Sequence, residues 1–315
     1  MASCLVTGVA GFIGSHLAER LLADGHQVVG IDCFTDYYPR SLKEKNLEML
    51  HQNQRFRLVE ADLNDVDHAD LLEGVEFVFH QAAQAGVRTS WGANFSIYTA
   101  NNIEATQKLL EAAKSSPLRK FIFASSSSVY GDTPDLPMRE TSPLHPLSPY
   151  GVTKMAAEKL CDLYGKNYGV PVVSLRYFTV YGPRQRPDMA FHRFIRAQLE
   201  GNELVVYGDG TQTRDFTFVD DAVEANLLAM EIERDGLIFN IGGGSQVSIR
   251  SVIEILGHLT GSPTRVRYEE KQRGDVHDTL ADVSMARQML GYRPTVAFED
   301  GLEKEIDWTR TLYLT

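Results

Sequence analysis

Between residues 5 and 17 an apolar run, LVTGVAGFIGSHL, breaks at Gly8, Gly11 and Gly14 and then resumes with helical spacing. A strand that turns this sharply into a helix aims unpaired backbone N–H groups and the positive helix end at one point, which suits a pyrophosphate. Glycine lets the chain bend there and lets phosphate oxygens approach with no Cβ in the way. The next apolar run, QVVGID, ends at Asp32, 18 residues after Gly14, where a carboxylate can accept both hydroxyls of an adenosine ribose. The glycines are spaced three and three instead of as G-x-G-x-x-G, so a turn that merely packs is the competing explanation. Asp32, in register, weighs against it.

The apolar runs extend that constraint. Strands are predicted near 3–7, 27–32, 55–59, 75–80, 119–124 and 171–177, with helices near 12–24, 41–51, 93–115 and 149–168 between them. Such alternation gives an α/β fold with a Rossmann-type, doubly wound parallel sheet. After residue 180 the turns GPRQRPD, YGDGTQTRD and EKQRGD separate short strands from helices near 190–200, 219–231, 248–260 and 299–313. This half reads as a smaller C-terminal α/β substrate region.

Charge narrows the partners. A net charge of −11 over 315 residues argues against nucleic acid or an anionic membrane surface, so an anionic ligand must be held by a few placed arginines. No apolar run approaches the ~18 residues of a membrane span. Residues 1–20 lack a basic n-region, so no signal peptide is expected. Cys4, Cys33 and Cys161 are scattered without metal-like spacing, which reads as reduced cytoplasmic thiols and no metal site. In that compartment Asn94-Phe95-Ser96 is a coincidental glycosylation match.

The reactive groups fall on the fifth and sixth elements. Tyr150 and Lys154 form Y-x-x-x-K at the start of a helix, after a serine run at Ser125, Ser126, Ser127 and Ser128. Positions four apart share a helix face, so a phenol and an ammonium can point into one cleft. An ammonium beside a phenol favours the phenolate and brings a pKa near 10 towards working pH, which makes a general base. An ordinary exposed pair is the alternative.

Together TGxxGxxG, Asp32, Asp62-Leu63, the Ala82-Ala83 pair, Asn101, the serine run and YxxxK resemble the extended short-chain dehydrogenase/reductases over essentially the whole chain. Within that family RYFTVYGPRQRPDMAFHRFI, YGDGTQTRDF and RGDV resemble the nucleotide-sugar group, and SSSVYG, SPYGVTK and RPDM resemble the UDP-glucuronate 4-epimerases. The resemblance implies a bound NAD that is reduced and reoxidised within each turnover. It implies an NAD-binding Rossmann domain over 1–175 and a nucleotide-sugar-binding region over 176–315, part of 216–242 returning to the first. Gly8, Gly11, Phe12, Ile13 and Gly14 match its pyrophosphate turn, Asp32 its ribose contact, and Asp62 and Leu63 its adenine contacts. Ala82, Ala83, Gln84 and Asn101 match further cofactor positions, and Lys154 would also bond the nicotinamide ribose. Ser126 matches the hydroxyl that bonds the reacting oxygen. Arg214 and Arg273 match a diphosphate clamp, and Asp275 a contact to the nucleotide ribose. Family members also pair into dimers through the helices near 93–115 and 149–168, so a homodimer is implied.

Departures refine the expectation. Dehydratases and decarboxylases of the family carry acidic residues where this chain has Ser127 and Ser128, which argues against both activities. Thr179 stands where glucose-type 4-epimerases usually have Asn, making a neutral sugar the lesser reading. The remoter reading is a non-catalytic dinucleotide-binding sensor, against which Tyr150 and Lys154 are both present. A 4-keto glucuronate is a β-keto acid, so an epimerase must hold its carboxylate near the carbonyl plane. Ser127, Thr179 and Arg186 are the candidates for that grip, with Arg88 a lesser one.

Overall fold

The computed structural model describes residues 1–314. Six strands of the first half, β1 (Ser3–Thr7), β2 (Gln27–Asp32), β3 (Phe56–Glu60), β4 (Phe77–His80), β5 (Lys120–Ser126) and β6 (Val172–Tyr177), are parallel neighbours in one sheet. Outside it lie β7 (Thr179–Tyr181), β8 (Leu204–Tyr207) and β9 (Thr213–Phe218), and then β10 (Leu237–Ile241) returns to pair with β6. The sheet order is β10-β6-β5-β4-β1-β2-β3. Strands β1, β4, β5, β6 and β10 are buried almost throughout, as a parallel sheet covered by helices requires, whereas the edge strand β3 has no fully buried residue. Leu5, Ile31, Val78 and Phe121 pack into one layer, and Val6, Val28, Phe79 and Ile122 into the other.

Strand order reverses beside β1, so the carboxyl ends of β1 and β4 open a crevice there. The turn into α1 (Phe12–Ala23) lies in this crevice. Gly8 has φ +68°, and a Cβ on it would stand 2.9 Å from the Ala82 backbone. A Cβ on Gly14 would meet the Gly8 carbonyl oxygen. α2 (Arg40–His51) braces the turn from behind, its Asn46 amide donating to the Ala10 carbonyl at 3.0 Å. A short α3 (His68–Leu71) follows β3.

The single helix expected over 93–115 is broken in the structure. A 3₁₀ turn at Gly92–Asn94 leads into α4 (Phe95–Tyr98), six residues of π-helix at Thr99–Glu104, and α5 (Ala105–Ala113). Such wide turns gather at functional sites. Here one sets Asn102 inward, where it accepts from the Gln84 N–H at 2.8 Å and donates to the Gln84 carbonyl at 3.0 Å. α6 (Pro149–Tyr168) has strong end signals. Ser148 caps it by accepting from Gly151 N–H at 3.1 Å, Pro149 opens it, and Gly169 closes it at φ +72°.

In the second half, β9 lies between β7 and β11 (Gln246–Ser248), while β8 pairs with β12 (Val266–Glu269). The helices here are α7 (Ala190–Leu199), α8 (Val219–Glu231), α9 (Ile249–Thr260), α10 (Ser284–Leu290) and α11 (Phe298–Tyr313). α8 packs on α1, so this half is seated against the first.

Candidate active site

Two adjoining cavities meet at the carboxyl ends of β1, β4, β5 and β6. The first is lined by Gly8, Gly11, Phe12, Ile13, Gly14, Asp32, Asp62, Leu63, Ala82, Ala83, Gln84, Asn101, Tyr150 and Lys154. The second, of about 700 Å³, is lined by Arg88, Ser126, Ser127, Thr179, Arg186, Arg214 and Asp275 among others. That volume is in the range of ordinary ligand sites. Tyr150, Ser125, Tyr177 and Arg186 line both.

Asp32 ends β2 with its carboxylate held by two backbone donors, Ala10 N–H at 3.1 Å and Phe34 N–H at 2.8 Å. Burial pushes its pKa up, against those donors and the nearby Lys43 charge. Lys43 is a lining residue that motif reading missed, together with Tyr37 and Tyr38. A signal was present, because Lys43, Asn46, Leu47 and Leu50 follow one helical stripe, all four buried. The Lys43 ammonium donates to the Thr35 carbonyl at 2.7 Å.

Tyr150 sits in the first turn of α6, and burial pushes its phenol up. Opposing that are a hydrogen bond with Ser126 and the positive charge of Arg186. The sequence expectation gave this electrostatic part to Lys154. Instead, the Lys154 ammonium donates to the Ala124 carbonyl of β5 at 2.7 Å, and burial lowers its pKa to about 8. The ring of Tyr98 meets Tyr150 edge-on at 6.3 Å between centroids.

Arg186 does not face water. Its side chain is mostly covered, with Nε and Nη2 donating to Asp188 at 3.0 Å each. Asp188 also accepts from the Tyr37 hydroxyl at 3.1 Å. The expected carboxylate grip therefore starts from a guanidinium already paired within the chain. Arg214 is likewise committed, donating to the carbonyls of Thr213, His277 and Val276 at 2.7–2.8 Å. Three of its five N–H groups are thus spent on backbone, leaving two for a ligand. Arg88 pairs with Asp275 at 2.8 Å and stacks over Tyr207 at 4.3 Å.

Arg273 departs from the expectation. It is exposed and lines neither cavity, whereas Asp275 and the exposed Lys271, on either side of it, border the second. Arg193 and Lys271 are cationic lining residues that the sequence reading did not single out, and Arg193 lies over Tyr207 at 5.4 Å. For Arg193 the signal lay in its place on the strongly amphipathic α7. No local pattern marked Lys271. Among the described residues, no cluster of His, Cys, Asp and Glu could hold a metal ion.

Residues 4–242 match the NAD dependent epimerase/dehydratase family. The chain is 47% identical over 311 residues to the uncharacterized UDP-glucose epimerase YtcB of Bacillus subtilis, covering 98% of each. It is 38% identical to a UDP-glucuronate 4-epimerase of Thermodesulfobacterium geofontis, covering 98% of this chain and 97% of that one. The crystal structure of UDP-glucuronic acid 4-epimerase from Bacillus cereus, in complex with UDP-glucuronic acid and NAD, superposes with a TM-score of 0.97. That match has 48% identity and covers 99% of this chain and 100% of the other.

Proposed function

The chain belongs to the NAD dependent epimerase/dehydratase family, and from that premise we propose that it is a UDP-glucuronate 4-epimerase, interconverting UDP-glucuronate and UDP-galacturonate. One observation carries the reading: Tyr150 and Arg186 line both cavities, so a base and a cation stand where cofactor and sugar must meet.

The residues fit NAD. The turn from Gly8 to Gly14 is a cradle that a Cβ would fill, and no side chain caps the first N–H groups of α1. Gly8, Gly11, Phe12, Ile13 and Gly14 would hold the pyrophosphate, Asp32 the adenosine ribose, and Asp62 and Leu63 the adenine. Ala82, Ala83, Gln84, Asn101 and Lys154 would hold the nicotinamide half. NAD supplies the acceptor and donor of hydride at C4 of the sugar.

Tyr150 takes the proton from O4 and later returns it, while Ser126 holds both the phenol and the reacting oxygen. Arg88, Arg214 and Asp275 lie along the second cavity for the nucleotide and its diphosphate, with Arg273 left at the surface. A fixed diphosphate lets the sugar ring turn and present its other face. Ser127 and Thr179 donate to the carboxylate, and Arg186 adds charge-assisted bonding from the three N–H groups that Asp188 does not use. In this division of labour residues 1–175 form the NAD-binding unit and 176–315 the nucleotide-sugar-binding region, with 216–242 partly seated in the first unit and Arg88, Ser126 and Ser127 reaching the sugar from it.

A homodimer is part of the proposal. Trp91, Phe95 and Ile97 before and along α4, and Val152, Leu163 and Tyr168 on α6, are exposed apolar side chains on the two helical segments expected to pair. A cytoplasmic location accords with free Cys4, Cys33 and Cys161. Among the described residues no helix is long and apolar enough to cross a membrane.

A second reading, a UDP-glucose or UDP-N-acetylglucosamine 4-epimerase, is favoured by the name of the B. subtilis relative. Incubation with each UDP-sugar, without added NAD, followed by NMR of the products, separates them. Conversion of UDP-glucuronate to UDP-galacturonate supports the proposal. Conversion of only the neutral sugars supports the second reading. Retained NAD with no turnover on any of them would mark a dinucleotide sensor.

A further inference from the structure

Beneath the serine run lies a charged group for which the reaction described above has no use. Arg176 of β6 and Glu158 of α6 are 2% and 1% exposed, and they pair as a fork, Nη2 to Oε1 at 2.6 Å and Nε to Oε2 at 2.9 Å. Burying two charges is expensive, and well-packed apolar side chains in their place are often as stable or more so. Core stability alone therefore gives weak grounds for this pair.

Its hydrogen bonds point to another role. Ser125 donates its hydroxyl to Glu158 Oε2 at 2.6 Å. Arg176 Nη1 donates to the Tyr130 hydroxyl at 2.7 Å, and Tyr130 donates to Asn240 of β10 at 2.6 Å. The pair thus pins the segment 125–130 at both ends, and the hydroxyls of Ser126, Ser127 and Ser128 project from the stretch between. The register is favourable, since Ser125 lies directly beside Arg176 across the β5–β6 pairing. Neighbours on a strand point to opposite faces, so Arg176 faces inward to the pair while Tyr177 faces the cavities. Glu158 also falls four residues after Lys154 and eight after Tyr150, on one face of α6. One carboxylate is therefore tied to the serine strip and shares a helix face with the base.

We propose that Glu158 and Arg176 are positioning residues that set the serine strip against Tyr150, acting through Ser125 and Tyr130. The inference rests on the epimerase reading above for its assay; Glu158 and Arg176 lie outside both cavities, while Ser125, through which Glu158 acts, lines both.

Two variants test it. Ser125→Ala deletes only the hydroxyl link, and Glu158→Leu with Arg176→Met replaces the ion pair by apolar volume. For Ser125→Ala the expected result is full retention of NAD, a KM for UDP-glucuronate within about threefold of the parent and a kcat lowered several-fold. For the double variant it is the same KM with kcat lowered tenfold or more, and an increased share of decarboxylated 4-keto-pentose by NMR. Unchanged kcat in Ser125→Ala overturns the proposal, and does so even where the double variant fails to fold. A double variant that folds with parental kcat overturns it as well. Conversion of UDP-glucuronate by the parent enzyme, measured alongside, tests the epimerase reading separately.

Discussion

Removal of the Arg186 guanidinium separates substrate recognition from substrate anchoring. With Nε and one N–H of Nη2 committed to Asp188, three of the five N–H groups stay free, two of them on Nη1, and a substrate carboxylate bonded there takes at least one charge-assisted bond. Such a bond contributes about 1.5–3 kcal/mol, so Arg186→Ala should weaken UDP-glucuronate binding by roughly 10- to 150-fold. Asp188 would be left at the mouth of the cavity without its cation, facing a second carboxylate, which places the single variant towards the larger loss. Arg186→Ala with Asp188→Asn removes that repulsion and should recover part of the affinity. UDP alone should bind almost as before, because the proposal gives the diphosphate to Arg88 and Arg214. The pH profile should move too. Arg186 favours the Tyr150 phenolate, so its loss raises the phenol pKa and shifts the acid limb of kcat to higher pH. Calorimetry with UDP and UDP-glucuronate, with kcat measured across pH, checks each part. Equal losses for the two ligands, or none for either, would refute the assignment of Arg186 to the sugar carboxylate.

Other outcomes follow from residues described above. Tyr150→Phe keeps the ring against Tyr98 and should retain NAD while epimerisation falls by about 10²–10⁴-fold, measured by NMR; near-normal turnover would remove Tyr150 as the base. Asp32→Ser should admit NADP, since it removes the charge that repels a 2′-phosphate and leaves Lys43 in the same cavity; cofactor released on denaturation after growth or exchange with NADP reads this directly. Light scattering at micromolar concentration should give the dimer mass, and Leu163→Asp should lower it, because Leu163 is 51% exposed on α6. Burial raises the Asp215 carboxyl to about 6. Its folded pKa therefore exceeds its unfolded one. The resulting stability is present below about pH 4 and is lost as pH rises through about 6, by about 3 kcal/mol at most. Urea unfolding at several pH values should show that slope in the parent and a flatter one in Asp215→Asn.

Much of the cofactor half was legible because its signals are local. Glycine spacing, a carboxylate at a strand end and a Y-x-x-x-K at a capped helix start each sit within one element and its turn. The sugar half was read less well because its site is assembled from loops distant in the chain. Arg273 and Lys271 are two residues apart, both exposed, and only Lys271 borders the cavity, which their spacing in sequence does not disclose. Arg214 matched a phosphate clamp in sequence, but no motif discloses that three backbone carbonyls already share its guanidinium. The π-helical turn at Thr99–Glu104 is marked only weakly, since Thr99, Asn101 and Asn102 are poor helix formers but do not tell a wide turn from a frayed one. Asp188 was passed over because its importance lies in a partner and in Tyr37, 151 residues away.

The return of β10 to the edge of β6 constrains how this chain can be divided. The five residues Leu237–Ile241 cover β6 on that side, and α8 packs on α1, so a fragment ending just after Tyr177 would present β6 as a bare edge beside an uncovered helix. Bare edges recruit foreign strands. Such a fragment should aggregate when expressed alone, and co-expression with the remainder should rescue it by strand complementation. For the same reason an intact molecule should melt in a single cooperative step.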